Sequence, residues 1–130
     1  MKQVTIDMLE IYKPISNLDW LNYHLVKKNV TFHHIKKKEH GGKLEVSNGA
    51  LLMPMAHEYL HVIEYKDIEA YILINKIFQM INEQRHEATQ GQRQMIEYIL
   101  REFEQLYKDK YTSKGKPIIK KEYLKRGFEV

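Results

Sequence analysis

Four histidines stand in two pairs in the central part of the chain, His33 with His34 and His57 with His61. Imidazole is the commonest metal ligand and the side chain best suited to proton transfer near neutral pH. On a helix, residues four apart share one face, so the second pair can bind a single ion. A third ligand from the first pair completes a three-histidine face with open positions, which a catalytic metal needs. Either His33 or His34 can supply it, and its neighbour is then free to take a proton from water.

The first pair lies in a predicted strand. Residues 30–35 are rich in β-branched and aromatic side chains, and Gly41-Gly42 after them predicts a turn. Strict strand alternation aims His33 and His34 at opposite faces. Sharing one site therefore requires a twist or bulge at the end of the strand.

The second pair lies in a predicted helix that follows a second strand. Leu44 and Val46 begin this strand, residues 47–49 interrupt it, and residues 50–53 continue it. Pro54 suits the first turn of the helix, where its missing N–H is not needed. The order of these elements is strand, turn, strand and helix.

Residues 31–61 taken together resemble the HNH endonuclease family. The resemblance lies in the His-His-Ile start, the Gly-Gly loop, the Asn-Gly before an apolar strand and the histidine that opens a helix. It covers the central segment only. It implies the family's ββα-metal unit, a hairpin followed by a helix, which agrees with the predicted order of elements.

The resemblance also implies a role for each matching residue. His33 resembles the first metal ligand, and His34 resembles the general base that activates water. Asn48 looks like the asparagine that fastens the loop and helps orient the base, although a turn-forming role ahead of a glycine explains it equally well. His57 resembles the ligand at the start of the helix. His61 is similar to the additional ligand of colicin-type members, in which three imidazoles hold the ion.

The activity that this resemblance implies is metal-dependent hydrolysis of phosphodiester bonds in DNA, expected to be double-stranded, as in enzymes of phages and mobile elements. Three imidazoles suit Zn or Ni, and Mg or Mn is compatible because water and phosphate oxygens fill the open positions. The cysteine pairs of many relatives are missing, so surrounding helices must hold the unit rigid. No arginine lies in the segment, so phosphate binding falls to lysines such as Lys36, Lys37 or Lys43.

Two other functions fit parts of the same segment. Residues 57–61 satisfy H-E-x-x-H, a zinc peptidase signature, with Glu58 as general base and Glu83 as a conceivable further ligand. This peptidase hypothesis leaves the first histidine pair and Asn48 unexplained. Alternatively, the metal unit is a non-catalytic module for binding nucleic acid. A base histidine beside three ligands argues against that, because structural sites usually fill four positions.

Helices are predicted on both sides of this segment. A short helix starts near Thr5 and ends near Lys13-Pro14, although its first residues fit a strand equally well. Ser16 or Asn17 caps a second helix that runs towards Val26. Two later helices, joined by a polar connection with a capping box at Thr89 and Gln92, predict an antiparallel hairpin that is a candidate dimer interface. The apolar positions of these two helices are Ile68, Tyr71, Ile72, Ile74, Phe78 and Ile81, then Met95, Ile99, Phe103 and Leu106.

Composition sets the outer limits. The 130 residues, 43% of them hydrophobic, predict one α+β domain over residues 1–107, with the ββα-metal core at about 30–65 and several helices around it. Residues 108–130 form a basic tail that we expect to be partly disordered. No apolar run is long enough for a membrane span and no signal peptide opens the chain. The absence of cysteine excludes thiolate ligands and, with the missing signal, favours a cytoplasmic location.

Overall fold

The computed structural model describes residues 1–107, so the predicted basic tail at 108–130 lies outside the described residues. Four α-helices and a two-stranded antiparallel sheet form an α+β fold, as the sequence predicts. Short 3-10 turns lie at Lys27–Asn29, Lys38–His40 and Val46–Asn48. The main elements are α1 (Gln3–Tyr12), β1 (Thr31–His34), β2 (Gly49–Leu52), α2 (Pro54–Lys66), α3 (Ile68–Gln84) and α4 (Gln90–Tyr107).

The hairpin and α2 confirm the predicted strand, turn, strand and helix order. β1 pairs with β2 in an unbroken register that runs from Thr31 opposite Leu52 to His34 opposite Gly49. Pro54 occupies the first turn of α2, where its fixed φ suits the helix. The buried side chains of α2 join the common hydrophobic core, and they are Ala56, Tyr59, Leu60 and Ile63.

The second strand is shorter than predicted. Leu44 is exposed and Val46 belongs to a 3-10 turn, so neither begins a strand as expected. Pairing starts only at Gly49, where an added Cβ would lie 2.4 Å from the Phe32 ring and 2.6 Å from the sulfur of Met8. A glycine is therefore required where β2 enters the core.

The predicted helix that starts at Ser16 or Asn17 is wrong. Residues 13–26 form an irregular segment, in which Leu18 bridges to His24 and both Asn17 and Asn22 have positive φ. The cause is the buried carboxylate of Asp19, which accepts backbone N–H groups of the following turn and so competes with helical hydrogen bonds. Its other oxygen accepts the N–H of Met53 at 2.8 Å, which ties this segment to the start of α2.

The last two helices pack against each other as a pair. The capping box is confirmed, because Gln92 N–H donates to Thr89 Oγ1 at 3.2 Å and Thr89 N–H donates to Gln92 Oε1 at 2.9 Å. Most of the predicted apolar positions of α3 are buried, although Ile68 and Ile72 are exposed. No helix within residues 1–107 combines the length and apolar character that a membrane span needs.

Candidate metal centre

All four histidines of the two predicted pairs line one cavity of about 140 Å³ at the edge of the hairpin. His33 and His34 come from the end of β1, and His57 and His61 come from the first half of α2. The other lining residues are Lys37, Lys38, Glu39 and Tyr71. The remaining histidines, His24, His40 and His86, are exposed elsewhere on the surface.

Both histidines of β1 line this cavity, and of the twist or bulge that sharing one site was predicted to require, the strand shows no bulge. The ladder is continuous to the last residue of the strand, His34, whose ring packs edge-on against Phe32 with centroids 4.9 Å apart. His33 is on the other face, where its ring lies 5.3 Å from that of His57. His34 also lines this cavity, and the chain bends immediately after it.

Buried His33 has one ring nitrogen committed to a partner from α3. Its Nε2 lies 2.9 Å from Oδ1 of Asn75, and Nδ2 of the same amide donates to the Tyr71 carbonyl at 3.1 Å. An amide oxygen can only accept, so Nε2 of His33 carries the ring proton. Nδ1 of this neutral imidazole therefore holds the lone pair.

His57 is oriented in a similar way by Thr31. The Thr31 hydroxyl donates its single proton to the Leu52 carbonyl at 2.7 Å, and its oxygen lies 3.1 Å from Nδ1 of His57. The hydroxyl oxygen can then only accept, so Nδ1 of His57 is protonated. The lone pair is left on Nε2.

His61 faces a carboxylate one turn along α2. Its Nδ1 lies 3.5 Å from Oε1 of Glu64, which leaves Nε2 as the nitrogen turned away from the carboxylate. Glu64 also forms an ion pair with Lys37, whose charge lies 5.9 Å over the Tyr71 ring. Hydrogen bonds from Lys37 and His61, and their charges, hold the pKa of Glu64 below its usual range despite the opposing effect of partial burial.

The surroundings favour the neutral form of three of these imidazoles, those of His33, His57 and His34. Burial lowers the pKa of His33 to about 4, and the charges of the other three histidines act in the same direction. Burial, followed by the charges of His61 and His34, lowers the pKa of His57. Burial and the charges of Lys2 and Lys38 lower the pKa of His34. A neutral imidazole is the form that can bind a metal or accept a proton.

These residues fit a divalent ion in their donor chemistry. Metal-ligating histidines usually give their second nitrogen to a carbonyl, carboxylate or other acceptor, which is the arrangement of His33, His57 and His61. Two imidazoles that bind one tetrahedral ion at about 2.0–2.1 Å have ring centroids about 5.3 Å apart. The ring centroids of His33 and His57 are 5.3 Å apart with the ring planes at 90°. Those of His57 and His61 are 5.1 Å apart, but these two rings are stacked with their planes only 20° apart, so their nitrogens do not point at one position.

The three rings nevertheless do not form a ready-made coordination sphere. Within residues 1–107, no group of three His, Asp or Glu side chains is arranged to hold an ion. The side chain of His61 is 61% exposed, so it has room to change rotamer. Metal binding therefore requires a side-chain adjustment, for which His61 is the least constrained ligand.

Asn48 fastens the loop that follows β1. Its Oδ1 accepts the Lys36 N–H at 2.8 Å, and its Nδ2 donates to the carbonyls of Lys36 at 3.0 Å and Lys43 at 3.1 Å. Gly42 lies so close to this loop that an added Cβ would be 1.8 Å from the Lys36 carbonyl oxygen. Asn48 thus fixes the chain just beyond His34 through backbone atoms rather than through the imidazole.

The lysines predicted to bind phosphate occupy different places. Lys37 lines the histidine cavity but is engaged by Glu64. Lys36 and Lys43 line a separate cavity of about 280 Å³ beside the Gly41-Gly42 turn. Lys38, a neighbouring lysine that was not among those predicted to bind phosphate, lines the histidine cavity itself.

Sequence reasoning missed the three residues that orient the ligands. Thr31 lies within the motif, and its position two residues before His33 on one strand face was a usable signal. Glu64 is one turn after His61 on the same helix, which was also a usable signal. Asn75 is far along the chain on another helix, so no local pattern indicates it.

The two glutamates of the peptidase hypothesis do not line the cavity. Glu58 is exposed and is not among the residues that line it. Glu83 is exposed near the end of α3, where its carboxylate accepts a hydrogen bond from Gln79.

Comparison of the chain with protein-family models, with curated proteins and with solved structures gave no match.

Proposed function

We propose that the chain is a metal-dependent endonuclease of the HNH type, which hydrolyses phosphodiester bonds of DNA. The observation that carries this proposal is that four imidazoles line one cavity and that three of them have contacts different from those of the fourth. His33, His57 and His61 each have one nitrogen turned to a fixed acceptor, whereas His34 is held by the strand and by ring packing. Three ligands and one spare base are what metal-assisted hydrolysis requires.

His34 acts as the general base in this proposal. Its lowered pKa keeps the ring unprotonated near neutral pH, so it can accept the proton of a water molecule that attacks the phosphate. The charges of Lys2 and Lys38, which act on His34, favour an anionic substrate at the same place. Asn48 fixes the loop beyond His34 and so limits movement of the strand end.

His33, His57 and His61 would hold the divalent ion, which is Zn or Ni on ligand chemistry, with Mg or Mn as further candidates. When bound, such an ion stabilises negative charge on the phosphate and on the departing oxygen. The role of this chain's own residues is to present one nitrogen of each ring to the ion and to keep the second nitrogen occupied. The hairpin and α2 bring these rings together, and Asn75 of α3 contacts the ring of His33.

Cleavage of supercoiled plasmid tests this proposal. Wild-type protein is incubated with Zn, Ni, Mn or Mg, and nicked and linear products are measured against a reaction with EDTA. A positioned base contributes about 10²–10⁴-fold, so His34→Ala should lose at least about 100-fold in rate while it binds metal as wild type does. His40→Ala is the matched control. His40 is an exposed histidine of the adjacent loop, so this variant should cleave plasmid like wild type.

Two outcomes would contradict the proposal. Metal uptake without cleavage under any of these conditions would favour the non-catalytic binding module. Substantial cleavage by a clean His34→Ala preparation would remove His34 from the role of base. Glu58→Gln should leave cleavage unchanged, because the exposed Glu58 has no part in the hydrolysis.

A further inference from the structure

Asn75 is the one hydrogen-bond partner of the candidate ligands that comes from α3, outside the segment that resembles the nuclease family. Its side-chain amide lies between the ring of His33 and the carbonyl of Tyr71, which is one turn earlier on the helix, and is hydrogen-bonded to both. Asn75 is 9% exposed and His33 is 3% exposed. Neither polar group can therefore exchange this partner for bulk water at low cost.

The orientation of the amide follows from its two contacts. The Tyr71 carbonyl is an acceptor, so the amide must turn Nδ2 towards it, at 3.1 Å. Oδ1 then faces Nε2 of His33 at 2.9 Å. If Nε2 of His33 lacked its proton, two acceptors would face each other in a buried place.

We propose that Asn75 is a positioning residue that locks His33 as its Nε2–H tautomer and so makes Nδ1 the metal-binding atom. This inference rests on the proposed metal site, since His33 is one of its three ligands. Removing such a partner typically costs 10–100-fold in metal affinity. Asn75 also links α3 to the site, because Tyr71 lines the same cavity and contacts the His33 ring with centroids 6.5 Å apart.

The test combines a spectrum of the metal-free protein with a measurement of zinc affinity. Long-range ¹H–¹⁵N correlation spectra of the full chain in EDTA report which nitrogen of His33 carries the proton, and chelator competition gives the dissociation constant for zinc. Wild-type protein should show His33 protonated at Nε2. Asn75→Leu, which has a similar size but no acceptor, should lose this preference and bind zinc about 10–100-fold more weakly.

Two further variants separate positioning from general stability. Asn75→Asp keeps an acceptor for Nε2–H and should retain the tautomer, although its second oxygen, unlike Nδ2, cannot donate to the Tyr71 carbonyl. Asn82→Leu removes another buried amide of α3, whose Nδ2 donates to the Val46 and Gly49 carbonyls and does not contact His33. This control should change stability but neither the tautomer nor the affinity.

The proposal is overturned if His33 in wild-type protein carries its proton on Nδ1, or if Asn75→Leu leaves tautomer and zinc affinity unchanged. If Asn75→Leu does not fold, the wild-type spectrum and Asn75→Asp decide the matter. Failure to bind zinc in the wild type would overturn both this inference and the proposed function. If tautomer and affinity respond as expected but plasmid stays uncut, the proposed activity fails and the role of Asn75 stands.

Discussion

Replacing Thr31 by valine removes one hydroxyl group and leaves a β-branched side chain of nearly the same shape on β1. The hydroxyl donates to the Leu52 carbonyl at 2.7 Å, and its oxygen lies 3.1 Å from Nδ1 of His57. Thr31→Val therefore takes away the acceptor that keeps the His57 proton on Nδ1. We expect weaker metal binding, because Nε2 of His57 is no longer reserved for the ion.

Two effects of Thr31→Val differ enough to be separated. The lost hydrogen bond to Leu52 costs about 0.5–1.5 kcal/mol of stability, and the higher strand preference of valine offsets part of this. Loss of the partner of a metal-binding imidazole typically costs 10–100-fold in affinity, which is about 1.4–2.7 kcal/mol. Metal affinity should thus fall clearly while the metal-free protein remains folded.

Isothermal titration calorimetry measures the affinity for zinc, and urea unfolding in EDTA measures the stability of the metal-free protein. Thr31→Ser is the matched control, because it keeps the hydroxyl and should bind zinc like wild type. Equal zinc affinity of Thr31→Val and Thr31→Ser would refute the argument that this hydroxyl fixes the His57 ring. Weak binding by both variants would instead show that the methyl group of Thr31 matters.

Two other predictions concern the loop and the response to acid. Gly42→Ala should lower the free energy of unfolding by about 1–3 kcal/mol in urea titrations, because its Cβ would lie 1.8 Å from the Lys36 carbonyl oxygen; Gly91→Ala, at an open position, should not destabilise. In metal-free protein, the pKa of folded His33 is about 4, below the ordinary 6.5, so the unfolded state binds the proton first as pH falls. The free energy of unfolding of the wild type should fall by up to roughly 3 kcal/mol between about pH 6.5 and pH 4, relative to that of the His33→Leu variant. The opposite effect of Asp19, whose pKa burial raises to about 6, cancels in this difference. An unchanged difference across this range would contradict the buried, neutral state of His33.

The candidate ligands could be predicted from sequence because their signals are local. A strand ending in two histidines, a turn and a helix with histidines four apart all lie within residues 31–61. Spacing on a helix decides which side chains share a face, and a short hairpin leaves few ways to place the first pair. The fold accordingly brings all four rings to one cavity.

The contacts that distant residues make around those rings could not be predicted from residue spacing. The contact between His33 and Asn75 joins β1 to α3, and such a contact depends on how the helices pack. The ion pair of Lys37 with Glu64 likewise joins the loop to α2 and removes a lysine that the sequence offered for phosphate binding. Packing of distant segments decides these pairs, and residue spacing does not encode it.

The wrong helix prediction has a specific physical origin. Leu18, Leu21 and Leu25 recur at intervals that favour a helix. Asp19 is buried, however, and its carboxylate accepts hydrogen bonds from the backbone N–H groups of Leu21, Tyr23 and Met53. A single buried acceptor with several backbone donors outweighed the weak preference of the apolar pattern. Such a role is invisible until the partner segment is in place.

The most direct measurement is a crystal structure of the full chain soaked with zinc, with anomalous diffraction to locate the ion. We predict one ion bound by Nδ1 of His33 and by Nε2 of His57 and His61, with the ring of His34 nearby and not coordinated. An ion bound at another place, or one that takes His34 as a ligand in place of His33, would contradict the division into three ligands and one base.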